Sequence, residues 1–528
     1  MATWQESAAR YRSIMAEKIP KEWRLPASIT DNISQTSEQN VLDIPRTCDI
    51  LTKEELDITE NYDAVAMAEL LAQGKFTSVA VTTAFCKRAA IAQQLTNCLT
   101  ETFFDIALKR AKFCDDYLAR EKKTLGPFHG LPISIKECFA VEGVRTTLGF
   151  ISFVERPVEE SHSAVAQILI GQGAVLYVKT NIPQTMMTAE SDNNLFGREL
   201  FSPVTGTIIG VGTDIGGSIR IPAYVNGTIG FRPTARRFPV AGQESAARPG
   251  GWGILSTGGP LTRSVRDVEY FLKNFLSAEN DIWSLDETAM YAPWRSVSPS
   301  ISEVAGKKLR IGFVTESNKF PLHPSVLRTF KDAISKLEIA GHIVVNMEQH
   351  LPSQFLDKAV TTAYYLFSMD PTNYILSQLK VSGEPPIPSI SNTSRPELKH
   401  YQPTVDDAFR VNLERREVCN QFKNAWVKEG LDVLIMPVYQ GTAVGHDTYG
   451  PAFYTLLANL VDYPSVSIPH GTANAELDVP FRRDVSYVPA YVPKDVEDAP
   501  SGFQILGRPG RDEELVVSLK IVENAIRA

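Results

Sequence analysis

From residue 64 to about residue 120 apolar side chains recur every three or four positions, through Met67, Leu70, Leu71, Val81, Ala84, Phe85 and Ala89. That spacing sets them on one face of successive helices, with Gly74 as a break. Just upstream, Thr52-Lys53-Glu54-Glu55 carries the reciprocal capping pattern of a helix start. Shorter uninterrupted apolar runs follow and predict buried strands. The run Leu131-Pro132-Ile133-Ser134-Ile135 delivers Lys136 to a strand tip, and Ala174-Val175-Leu176-Tyr177-Val178 follows a helical stretch closed by Gly171 and Gly173. Further on, strands at residues 309–314 and 342–346 flank an amphipathic helix at 325–340, and apolar strands recur at 431–437 and 466–469.

Helix alternating with strand predicts an α/β fold with a mixed, largely parallel central sheet covered by helices on both faces. Residues 1–50 form an N-terminal helical arm, and residues 51–528 a single large domain with a more variable region at about 305–430. The Pro- and Ser-rich tract at 383–395 is expected to be a surface loop.

Composition narrows the function classes. The 528 residues are 43% hydrophobic and 22% charged, which suits a chain with a large core. The net charge is −8 and no run of lysine and arginine could track a phosphate backbone, so nucleic acid is not an expected partner. Glu6, Arg10, Arg12, Glu17 and Lys18 interrupt the start of the chain, and no long uncharged apolar stretch appears later, so no membrane partner is expected. Six cysteines form no C-x-x-C pair, which predicts reduced thiols and a cytoplasmic protein. Eight histidines show no H-E-x-x-H spacing, so no metal site and no cofactor are expected. A homodimer is left open.

Candidate chemistry gathers in Gly210-Val211-Gly212-Thr213-Asp214-Ile215-Gly216-Gly217-Ser218-Ile219-Arg220. Glycines here can bring backbone N–H groups close to a ligand beside one serine oxygen. A glycine turn joining two elements would leave the same trace. Lys136 supplies what a serine nucleophile lacks, a base, because a lysine at the end of an apolar strand can be desolvated toward its neutral amine.

Three strings carry a family resemblance: Gly130-Leu131-Pro132-Ile133-Ser134-Ile135-Lys136, Thr180-Asn181-Ile182-Pro183-Gln184-Thr185-Met186 and Gly210 onward to Pro222. With Phe196-Gly197-Arg198 and Gly502-Phe503-Gln504-Ile505-Leu506-Gly507-Arg508, they resemble the amidase signature family, above all its fungal general amidases and acetamidases. The resemblance implies hydrolysis of a small carboxamide, with Ser218 attacking the carbonyl carbon and Lys136 as final proton acceptor. It implies further that N–H groups of Ile215, Gly216, Gly217 and Ser218 hold the oxyanion, that the Met186 carbonyl faces the substrate, and that Asp214 and Arg220 brace the loop.

The chain departs from the family pattern in one place. The glycine- and serine-rich segment that carries the family's bridging serine has no counterpart between Arg198 and Gly210, which leaves Ser202, Thr205, Thr207 or a water as substitutes. Two other readings follow: a catalytically impaired protein that binds amide-like ligands, and a subunit that feeds ammonia to a misacylated tRNA with partner chains.

Overall fold

A computed structural model describes residues 3–34, 39–199, 207–297, 306–393, 395–479 and 485–528. Its centre is one 11-stranded sheet. The strands are β1 (Leu99–Thr102), β2 (Pro132–Lys136), β3 (Val175–Thr180), β4 (Ile209–Asp214), β5 (Ile229–Arg232), β6 (Thr257–Thr262), β7 (Arg310–Phe313), β8 (Ile343–Asn346), β9 (Val433–Met436), β10 (Ser465–Thr472) and β11 (Pro500–Leu506). They lie in the order β1-β3-β2-β4-β6-β5-β10-β11-β9-β7-β8.

The sheet is mixed and helix-covered, but "largely parallel" needs correction. Parallel pairing is confined to β3-β2-β4 and β9-β7-β8, and the strands between them are antiparallel. Alternation of helix and strand does not fix strand direction, and β4 and β6, which carry glycines near their centres, lack the apolar run that marks a strand. The run Thr257-Gly258-Gly259-Pro260 resembles a turn, yet Gly259 sits where an added Cβ would stand 2.2 Å from the Phe231 carbonyl oxygen. Close strand approach, not a turn, is what that glycine serves.

The helical periodicity has its expected consequence. The helix Ser78–Thr96 starts where the Thr77 side chain accepts from Ala80 N and stops at Asn97 in the left-handed conformation (φ 55°). Its apolar face joins Phe85, Ala89 and Ala92 to Ile133, Leu169 and Val178 in the main core. Burying each large apolar side chain there stabilises the fold by about 1.5–3 kcal/mol. The short strand β1, inside the stretch expected to be wholly helical, was not legible in Leu99-Thr100-Glu101-Thr102. The N-terminal helix Trp4–Glu17 begins with a Thr3–Glu6 capping box and packs Ala8 and Tyr11 on Ile151, Val154 and Leu195. No helix among the described residues is long and apolar enough to cross a membrane.

Candidate active site

Strands β2 and β4 are parallel neighbours, with Ser134 opposite Gly210 and Ile135 opposite Val211. The register therefore sets the tip of β2, Lys136, beside the end of β4. Lys136 Nζ donates to Thr213 Oγ1 at 2.9 Å. Burial pushes this ammonium below the ordinary lysine range, although the nearby Asp214 carboxylate favours the charged form.

Beyond Asp214 the chain leaves the sheet, turns through residues 215–219 and enters the helix Arg220–Val225. Asp214 holds that turn. Its carboxylate accepts from Gly217 N (2.8 Å), Ile219 N (3.2 Å) and Asn459 Nδ2 (2.9 Å), and from Arg220 through two nitrogens at 3.0 Å each. Both side chains of the pair are fully buried. Although burial opposes its charge, the Arg220 guanidinium and the surrounding donors hold the Asp214 carboxyl well below the usual carboxylate range. An aspartate fixed as an anion by so many donors has no proton to give. Arg220 also donates to the Thr455 carbonyl (3.0 Å) and Gln504 Oε1 (2.7 Å), tying the turn to β11.

Gly217 is fixed by the turn itself. Its N–H is committed to Asp214, and its φ of +128° would place a Cβ 2.4 Å from Thr455 Oγ1. The turn therefore requires glycine at this position. Ile215, Gly216 and Ser218 line a cavity of about 540 Å³, and Lys136 and Met186 line it too. Ser218 and Lys136 are therefore brought to one space, although Lys136 Nζ bonds Thr213 and not Ser218 among the described residues.

Met186 enters through a strained turn. Thr185 (φ 69°) and Met186 (φ 57°) are both left-handed, uncommon for residues with side chains. The buried Gln184 fixes the turn by accepting from Ile387 N (2.9 Å) and donating to Glu384 Oε2 (3.1 Å). The 383–395 tract is at the surface as expected, with Gly383, Pro385, Pro386, Pro388, Ser391 and Asn392 exposed, but it is not all loop. Glu384 and Ser389 are buried, and the short helix Pro388–Thr393 stands within it. Glu384 and Ser389 turn inward to meet the side chains of Gln184, Asn194 and Glu190, which an apolar pattern cannot reveal.

Of the hydroxyls considered as relays, Ser202 and Thr205 lie outside the described residues. Thr207 lines the cavity, but its hydroxyl donates to the Ile209 carbonyl (2.8 Å) and accepts from Ser134 Oγ (3.0 Å). The hydroxyl that meets Lys136 is Thr213, which lies within the glycine-rich string but was not among the relays considered. Asn459 and Thr455 were also missed. Gln504, polar between Phe503 and Ile505, was the available signal. No three His, Cys, Asp or Glu side chains are grouped to hold a metal among the described residues.

An α/β sheet whose central strands present a serine turn and a desolvated lysine to one cavity defines a hydrolase-like class of site. The chain belongs to the amidase family, whose model matches residues 80–199 and 204–516. It is similar to an amidase of Gibberella moniliformis, 35% identical over 99% of both chains. An acetamidase of Emericella nidulans is 34% identical over 96% of this chain and 95% of its own. Among solved structures, a fatty acid amide hydrolase superposes with a TM-score of 0.90 at 29% identity, covering 99% of this chain and 95% of that one. The protein is an amidase-family hydrolase.

Proposed function

We propose that the protein hydrolyses a carboxamide to a carboxylic acid and ammonia or an amine. Ser218 Oγ attacks the carbonyl carbon while its proton passes, through solvent in the shared cavity, to the Lys136 amine. N–H groups of Ile215, Gly216 and Ser218 face the developing oxyanion; one such donor is worth on the order of 10²–10³ in rate. The C–N bond breaks, the leaving nitrogen takes a proton from the Lys136 ammonium, and water then releases the acid from the Ser218 ester. No cofactor enters this scheme. The substrate is a small molecule, in keeping with a cavity of about 540 Å³ and with the acetamidase and fatty acid amide hydrolase among the similar proteins. All six cysteines are unpaired, which supports a reducing, cytoplasmic setting.

The observation that carries the reading is that Ser218 and the desolvated Lys136 open onto one cavity. A fluorophosphonate probe should label Ser218, and hydrolysis of aliphatic and aromatic primary amides should vanish together with labelling in Ser218→Ala. Amide hydrolysis that persists in Ser218→Ala would sink the mechanism. The separation of Lys136 from Ser218 favours one alternative, a non-catalytic amide-binding protein. A folded wild-type chain that binds amides but takes no label would establish it.

A further inference from the structure

Next to the serine turn the cavity is shaped by aromatic side chains. Tyr364 and Phe367, neighbours along one face of the helix Phe355–Phe367, line it together with Gly216 and Leu456. Leu456 and Phe367 stand over the turn itself: a Cβ added to Gly216 would lie 3.3 Å from Leu456 Cδ2 and 4.0 Å from Phe367 Cζ. One of the two groups flanking a carbonyl held at Ser218 therefore comes to rest against these side chains.

Both are held on packed supports. The helix that carries Tyr364 and Phe367 buries Ala359, Val360 and Ala363, and its Phe355 stacks on Phe422 of the helix Val405–Glu429 with ring centres 5.9 Å apart. Tyr364 and Phe367 meet edge to face, at 6.2 Å and 89°, and the Arg395 guanidinium lies 5.3 Å from the Tyr364 ring. Leu456 is placed by the serine turn, because the preceding Thr455 donates to the Gly216 carbonyl (2.6 Å) and gives its own carbonyl to Arg220 (3.0 Å). Met186 and Met187 add thioethers to the lining, and Met187, 40% exposed, stands where this part of the cavity reaches solvent.

Rings pack edge to face or offset on other rings, and thioether sulfurs make favourable contacts at ring edges; a saturated ring of the same size gains burial alone. No charged side chain belongs to this set, so a charged substituent would be desolvated there without a partner.

We propose that Phe367, with Tyr364 and Leu456, forms a pocket for an aromatic acyl group, so that the preferred substrate is a primary carboxamide whose ring lies against Phe367. Hydrolysis of such a molecule consumes one water and gives the aromatic carboxylic acid and ammonia. This assignment deepens the hydrolase reading and rests on it for the reacting end alone.

Binding tests the pocket without catalysis. The full chain carrying Ser218→Ala is titrated, with ligand-detected NMR as the readout, against phenylacetamide and cyclohexylacetamide, which share one unconjugated amide and differ only in the ring. Phenylacetamide should bind at least about fivefold more tightly. Adding Phe367→Leu should bring the ratio near one, whereas Tyr364→Phe, which keeps the ring, should retain it; melting curves establish that each variant is folded. Acetanilide, with its ring on the nitrogen side, should show no such advantage over N-cyclohexylacetamide. Equal affinities, binding of neither acetamide, or a preference that survives Phe367→Leu would overturn the pocket, and a preference confined to the anilide would overturn its assignment to the acyl group. Absence of amide hydrolysis in the wild type would instead count against the function proposed above and leave this comparison readable.

Discussion

The wall of the cavity that carries Ser218 and the wall that carries Met186 face the same space, yet they are fixed by different means. On the Ser218 side Asp214 and Arg220 are fully buried, and their partners Asn459, Thr455 and Gln504 are interior groups. On the Met186 side the segment at 184–198 is held by the buried Gln184–Glu384 contact and also by an ion-pair cluster, two of whose members reach solvent. Arg198 joins Asp192 (3.1 Å) and Asp447 (2.6 Å), and the side chain of Asp447 is 37% exposed. Glu190 joins His446 at 2.6 Å, with the histidine 35% exposed. Low dielectric strengthens the first set and makes it indifferent to pH near neutrality, whereas the second is screened and titratable. The Ser218 wall thus depends on buried charge alone, whereas the Met186 wall depends in part on a cluster that solvent reaches.

The largest break in this contrast is expected from Arg220→Met. It leaves the Asp214 carboxylate buried without its cation, a loss of about 3–5 kcal/mol in denaturant unfolding. Fluorophosphonate labelling of Ser218 should fall with it. A variant that melts like wild type would show that the buried pair does not hold the turn. Gly217→Ala comes next. With φ at +128° and Thr455 in the path of the new Cβ, we expect a cost of about 1–3 kcal/mol. Labelling should slow even under conditions where the variant stays folded.

Thr213→Val acts on the lysine. The Thr213 hydroxyl accepts from Nζ and so favours the ammonium; without it the Lys136 pKa should fall further. Amide hydrolysis rises with pH as the lysine loses its proton. In wild type the midpoint of that rise should lie below the ordinary lysine value of about 10.4. In Thr213→Val it should move lower still, with a plateau rate reduced about tenfold because the amine is no longer aimed. An unchanged midpoint would remove Lys136 from the profile.

Much of the Ser218 wall was legible in the sequence, because its chemistry is packed into consecutive residues. Asp214 to Arg220 fall in one string, and Lys136 ends a recognisable apolar run. What escaped is long-range. Asn459 lies 245 residues from the Asp214 it bonds, and nothing in Leu456-Leu457-Ala458-Asn459-Leu460 signals that partner. The Met186 wall was less legible for the same reason: Glu384 meets Gln184 across 200 residues. A tract rich in Pro and Ser carries no periodicity from which the burial of Glu384 could be read. In the fold, glycine-bearing strands β4 and β6 concealed the antiparallel centre, since glycine there marks close backbone approach and in isolation suggests a turn.

The smallest effect, and the one that separates the two walls most directly, belongs to Glu190→Gln. Glu190 accepts from His446 Nδ1 (2.6 Å), Asp447 N (2.9 Å) and Ser389 Oγ (3.0 Å). Burial works against its charge, but the His446 contact and the other donors outweigh it and leave the carboxyl below its ordinary range. A carboxyl with a lowered folded-state pKa stabilises the protein fully above the unfolded value of about 4.3, and the contribution disappears as pH falls through the folded value. At pH 7 Glu190→Gln should therefore cost about 1 kcal/mol. As pH falls below about 4.3 and through the folded value, the variant and wild type should converge. Because Met186 sits on the wall that Glu190 ties down, KM for amides should rise at neutral pH while the rate of Ser218 labelling by a small fluorophosphonate stays close to wild type. Equal slowing of both would mean that the walls are mechanically one, and that the charged cluster supports the nucleophile as much as the turn that faces the substrate.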